Sequence, residues 1–159
     1  MLSAVGRQNL RYYTSYHPAA DETIGQFSSL LFKRLFFQCD LTIVNSSWEH
    51  DVAKDAFISV NGTIMPPATF LELIKDFHST SVATLEKEET LLMAPKDPEG
   101  RTGTVAQTAQ LVVKHQDGKI VVDQSSVTIM QVGEEDGRRK MTSLVETTVE
   151  RMRQDAAAV

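Results

Sequence analysis

The chain has 159 residues, 42% hydrophobic and 23% charged, with a formal net charge of -5. That length supports one domain with a real core, and the acidic balance argues against a general phosphate-backbone binder, which needs clustered Lys and Arg. No run approaches the roughly 18 apolar residues of a membrane span, since the longest apolar cluster, Leu30 to Phe37, is interrupted by Lys33 and Arg34.

Residues Met1 to Ala20 carry Arg7, Arg11, several Ser and Thr and no acid. Residues 1–19 read as an N-terminal extension to a domain over 20–150. Their composition matches a mitochondrial transit peptide, the alternative to a cytoplasmic location. There is no secretory apolar region, so the glycosylation patterns at Asn45-Ser46-Ser47 and Asn61-Gly62-Thr63 lack a context to act in. Cys39 is the only cysteine. It leaves no internal disulfide and no multi-cysteine metal site, fits a reducing compartment, and reads as a small buried hydrophobe near a helix end.

From Asp21 to about Cys39, apolar residues recur at helical spacing through Ile24, Phe27, Leu31 and Leu35. Asp21 and Glu22 favour the helix N-terminus, and Phe32 and Phe37 make it apolar almost all round. Leu41 to Trp48 predicts a second short helix. Val52 to Val60 predicts a strand ending in the Asn61-Gly62 turn, and Pro66-Pro67 opens a third helix with Phe70, Ile74 and Phe77 as its stripe. Val82 to Met93 predicts a strand whose alternation breaks at Glu86 to Glu89, suggesting a bulge. Ala94 to Gly103, rich in proline and glycine, predicts a flexible loop, and 151–159 a frayed tail.

Asp117-Gly118 and Asp136-Gly137 punctuate the alternating C-terminal third. Asp-Gly between alternating runs predicts a type I′ hairpin turn, because both central residues take positive φ. The segment from about Thr102 to Val149 therefore predicts a three-stranded antiparallel meander.

This order of elements resembles the nuclear transport factor 2-like superfamily, the cone-shaped fold of ketosteroid isomerases, scytalone dehydratase and polyketide cyclases. The local match is Asp55-Ala56-Phe57-Ile58-Ser59-Val60-Asn61-Gly62 followed by Pro66 to Ile74. The resemblance implies an α+β fold, a curved antiparallel sheet wrapped around about three N-terminal helices, with a pocket between them and commonly a homodimer. It does not imply one activity, because the fold hosts enzymes and binding modules alike.

Pairing outward from the two Asp-Gly turns puts Val105, Gln107, Ala109, Leu111 and Val113 on one face. Ile120, Val122, Gln124, Ser126, Thr128, Met130 and Val132 join them from the next strand, and Met141, Ser143, Val145, Thr147 and Val149 from the last. This face is expected to be concave and helix-facing, with a neutral polar centre of Gln107, Gln124, Ser126, Thr128 and Ser143. A cavity holding a small ligand would satisfy those groups. The other face gathers Val112, Val121, Val127, Ile129 and Leu144 with Lys114, Asp123 and Glu146, an apolar patch suited to dimerisation. A bulge would exchange the faces of one segment.

In this register the concave meander face carries no carboxylate, so acid–base candidates come from elsewhere. His50 and Asp51 could form a base with its orienting acid, beside Asp55, and Asp76 and His78 lie late in the third helix. Tyr12, Tyr13, Tyr16 and His17 sit near the N-terminus. The plain readings are an exposed turn for His50, a helix C-terminal cation for His78 and a solvated His115. Trp48 is expected in the core or the pocket wall. No His pair has metal-ligand spacing on one element and no Gly-rich phosphate loop is present, so no metal or cofactor is implicated. The leading expectation is a site for a small, moderately apolar ligand, with isomerase, dehydratase or cyclase chemistry open. The alternative is a non-catalytic homodimeric interaction module. Neither nucleic acid nor membrane is an expected partner.

Overall fold

The computed structural model describes residues 22–153. Helix α1 spans Ile24–Phe36, α2 Leu41–Asp51 and α3 Pro67–Thr80. The strands are β1 Val52–Val60, β2 Thr63–Met65, β3 Ser81–Pro95, β4 Gly103–His115, β5 Val121–Glu135 and β6 Arg138–Met152. The expected elements all appear in their expected order. The N-terminal tyrosines, His17 and Asp21 lie outside the described residues.

Helix α1 begins at a capping box rather than at acidic residues. Thr23 Oγ1 accepts from the Gln26 N–H, and Gln26 Oε1 accepts from the Thr23 N–H. Its Ile24, Phe27, Leu31 and Leu35 are buried, as the helical spacing requires. Asp40 caps α2 through Thr42. Cys39, expected buried, is exposed, because it falls in the link between α1 and α2.

The six strands form one curved sheet ordered β2-β1-β6-β5-β4-β3. It is mixed rather than wholly antiparallel, because β1 returns to pair in parallel with β6. Two of the three turns are type I′ in character, with positive φ at Asn61 and Gly62 and at Asp136 and Gly137. At Asp117-Gly118 only the glycine is positive. There the Gly118 N–H donates to His115 O and Asp117 Oδ1 accepts from the Lys119 N–H, so a longer loop closes in the same register.

Strand β3 carries two register shifts, between Leu85 and Lys87 and between Thr90 and Leu92. The first falls within the broken alternation of the sequence. The loop after β3 is held by Asp97, whose carboxylate accepts from the N–H groups of Glu99, Arg101 and Thr102. It is tied rather than free.

A further shift lies in β6 and was not expected. Val132 faces Met141, yet Gln131 faces Ser143, which leaves Thr142 as an extra residue. Beyond that bulge every side chain of β6 changes face. Leu144 turns into the core at 1% exposure, and Val145 turns outward at 39%. The main core lies between the helices and the concave sheet, around Leu31, Ile58, Ile74, Met130, Met141 and Leu144.

Candidate functional site

Between α1, α3 and the concave side of β3 to β6 lies a cavity of about 170 Å³. Phe32, Phe36 and Phe37 reach it from the first helix and its end, and Phe70 and Phe77 from α3. Three of these rings pack around Phe36, with Phe32 stacked on it at 5.7 Å, Phe70 tilted at 6.3 Å and Phe77 edge-on at 6.4 Å. Their positions follow from the helical repeats that make both helices amphipathic.

The opposite wall is the sheet. Alternation along β5 aims Gln124, Ser126 and Thr128 into the cavity, where Ser126 and Thr128 are 8% and 5% exposed. On β4, Gln107 faces inward too but is fully engaged. Its Oε1 accepts from Ser28 Oγ at 2.6 Å, and its Nε2 donates to the Gly25 carbonyl at 3.2 Å and to Thr90 Oγ1 at 3.3 Å. That network locks α1 to the sheet.

The bulge at Thr142 adds one more group. It places Glu146 opposite Thr128 and inside the cavity, where Thr128 Oγ1 donates to Glu146 Oε2 at 3.2 Å. Burial pushes the Glu146 carboxyl above its ordinary value, partly opposed by the Thr128 hydrogen bond. The second lining carboxylate, Glu88, is already committed to Ser29 Oγ at 2.9 Å and Lys33 Nζ at 3.1 Å. No Lys, Arg or His is among the described residues that line the cavity.

Glu146 is the residue that sequence reasoning misplaced, since regular pairing puts it outside. The reverse correction applies to Ser143, which lies beyond the bulge and belongs to the outer side with Gln131. One signal in the sequence bears on this. Gly133 sits within a strand, as glycines at bulges often do, and a Cβ there would come within 2.9 Å of Thr142 Cγ2.

The other candidates do not meet at the cavity. His50 Nδ1 donates to the Ser46 carbonyl at 2.7 Å within α2. Asp51 is 1% exposed and paired with Arg34 at 3.3 Å, tying α2 to α1. His78 Nε2 donates to the Leu35 carbonyl at 2.6 Å, tying α3 to α1. Asp55 and Asp76 are exposed. Trp48 packs with Phe70, ring centres 6.1 Å apart, on the core side of α2 rather than in the cavity lining. Asp123 is on the outer face, where it accepts from Arg153 Nε at 2.7 Å.

No protein-family model matches the chain, and no curated protein matches it. Among solved structures it is similar to a ketosteroid isomerase-like protein from Erwinia carotovora atroseptica. The TM-score is 0.64 at 8% identity, over 84% of this chain and 98% of that one. The chain has the nuclear transport factor 2-like fold. It is also similar to a type 3 hexachlorocyclohexane dehydrochlorinase from Novosphingobium barchaimii, with a TM-score of 0.57 at 13% identity, over 99% of each chain. A conserved protein from Planctomyces limnophilus gives 0.55 at 14% identity, over 94% of this chain and 100% of that one. At such identities the likeness concerns the fold. In the nuclear transport factor 2-like frame, the cavity occupies the space between the helices and the concave sheet. No helix among the described residues is long and apolar enough to cross a membrane.

Proposed function

We propose that the chain binds a small, moderately apolar molecule in the cone cavity, and that Glu146 exchanges a proton with it. The observation that carries this is a carboxyl group inside an aromatic-walled cavity, with one hydroxyl as its protein partner and its proton affinity raised by burial. A carboxyl poised in this way serves as a general base or acid nearer neutral pH than a solvated one. Isomerisation, dehydration and cyclisation by proton transfer can each run on such a group without a cofactor. The names of two structures of the same fold, an isomerase-like protein and a dehydrochlorinase, support this by analogy alone.

The test is a thermal-shift screen of small apolar molecules, followed by solvent-deuterium incorporation into those that bind. Binding should be lost in Ala109→Phe, which fills the cavity. Deuterium incorporation should be lost in Glu146→Gln while binding persists. Incorporation at equal rates in both proteins would remove Glu146 from the chemistry, and no stabilisation by any molecule would remove the cavity as a site.

A second reading concerns the outer sheet face. Val127, Ile129, Val145 and Val149 are 39–58% exposed there and adjoin across β5 and β6. We propose that this patch pairs two copies of the chain. The single cysteine supports a cytoplasmic location for that assembly, with mitochondria as the alternative.

A further inference from the structure

The two walls of the cavity differ in kind, and the difference specifies a ligand. One wall is five phenylalanine rings. The other, the sheet, is apolar along β3 and β4 at Ala83, Leu85, Ala109 and Leu111 and carries a polar row of Gln124, Ser126 and Thr128 along β5, ending at Glu146. Among the described residues, the side chains of Gln124 and Ser126 have no hydrogen-bond partner, in contrast to the saturated Gln107. Polar groups in such a place are satisfied by whatever occupies the cavity.

Size limits the occupant. A cavity of about 150 Å³ lined by Leu, Ile and Phe is enough to hold benzene, and this one measures about 170 Å³. Its enclosed part therefore accommodates one ring with small substituents. Charge limits it further. The lining has no cation among the described residues to receive an anionic substituent. Of its two carboxyls, Glu88 is already paired with Lys33 and burial shifts Glu146 toward its protonated form, so a neutral polar group fits at less desolvation cost than an ammonium. Spacing completes the description. Residues two apart on a strand lie about 6.6 Å from each other, comparable to the span between opposite substituents on a benzene ring.

We propose that the cavity takes an uncharged, single-ring aromatic molecule with polar groups at opposite ends of its ring, one meeting Glu146 and Thr128 and the other Ser126 or Gln124. The ring faces the phenylalanine wall, where aromatic pairs gain beyond their area. This rests on the cavity being a ligand site, as proposed above.

The experiment is calorimetric titration with 4-hydroxybenzyl alcohol, which has two polar ends, and 4-methylphenol, which has one. Benzoate, 2-phenylethylamine and 2-naphthol probe anion, cation and ring number. The alcohol should bind about tenfold more tightly than 4-methylphenol, the effect of leaving one buried polar group unpaired. The two should bind alike in the double variant Gln124→Leu/Ser126→Ala. Benzoate, phenylethylamine and naphthol should each bind more weakly than the alcohol. Equal or tighter binding of any of these three overturns the proposed ligand class and leaves the cavity a ligand site. Binding of every probe unchanged in Ala109→Phe, or of none to the wild type, overturns both readings.

Discussion

Glu146 and Thr128 face each other across the β5–β6 ladder, and the Thr128 hydroxyl donates to Glu146 Oε2 at 3.2 Å. The hydroxyl favours the ionised carboxylate, burial opposes it, and burial is the larger effect. The folded chain thus holds a proton that the unfolded chain has released once pH exceeds the ordinary carboxyl value of 4.5. This contribution to stability is fully present below that value and is lost as pH rises through the higher folded value. Glu146→Gln removes the titration. Its melting temperature should stay level across a window in which the wild type declines, and it should exceed the wild type at neutral pH. Parallel curves for the two proteins would place Glu146 in ordinary solvent contact.

Gly133 and Thr142 meet at the bulge that turns Glu146 inward. A Cβ at Gly133 would stand 2.9 Å from Thr142 Cγ2, so one of the two must move. Gly133→Ala should cost about 1–2 kcal/mol, in the range for small overpacking changes. Thr142→Ser deletes the clashing methyl and should restore most of that loss in the double variant. The coupling in a double-mutant cycle from urea unfolding is the readout, and additive losses would show that the two side chains do not share the space.

That bulge also marks where the sequence stops being readable. The elements, their order, the register of the β4–β5 hairpin and that of β5–β6 as far as Met141 followed from the helical stripes and the Asn-Gly and Asp-Gly steps, because these encode local backbone conformation directly. Even at Asp117-Gly118, where the loop is longer, the ladder keeps the register that brings Val113 against Val122 and Lys114 against Val121. The faces of β4 and β5 were legible for the same reason. Strand β6 was legible only to Met141. Past it, Ser143, Val145 and Val149 on one face and Leu144, Glu146 and Thr148 on the other are equally mixed, so alternation does not choose between them. Packing chooses: Leu144 fits the core, and Glu146 follows it inward. The parallel pairing of β1 with β6 was invisible too, since it joins segments far apart in the chain.

Asp97 offers a separate test outside the cavity. Its carboxylate takes a hydrogen bond from Thr102 Oγ1 at 2.6 Å and further ones from the backbone N–H groups of Arg101, Thr102 and Glu99. These bonds, led by the Thr102 hydroxyl, hold its carboxyl well below its ordinary value of 3.8. A lowered folded value stabilises above the ordinary one and is lost as pH falls through the folded one, so the loop 96–102 should loosen only in strong acid. Asp97→Ala removes the acceptor at every pH. Trypsin should then cut after Lys96 or Arg101 several-fold faster, with little change in melting temperature because the loop is at the surface. Unchanged cleavage would mean that the loop keeps its form without this carboxylate.

The outer face makes the proposed homodimer testable without any ligand. Ile129 lies opposite Val145 on β6 and opposite Ala106 on β4, which puts it near the middle of the exposed patch. In a two-fold dimer each patch meets its own copy, so one substitution changes the interface twice. Burying an isoleucine side chain contributes about 1.5 kcal/mol or more, and two such losses weaken association by at least about a hundredfold. Ile129→Glu adds like charges facing each other. Sedimentation equilibrium should therefore find the wild type dimeric at micromolar concentration and Ile129→Glu monomeric. Because Ile129 points away from the cavity, ligand titrations on the monomeric variant should match the wild type. A wild type that sediments as a monomer ends the dimer reading, and a variant that loses ligand binding along with its partner would mean that the cone needs the second copy to hold its shape.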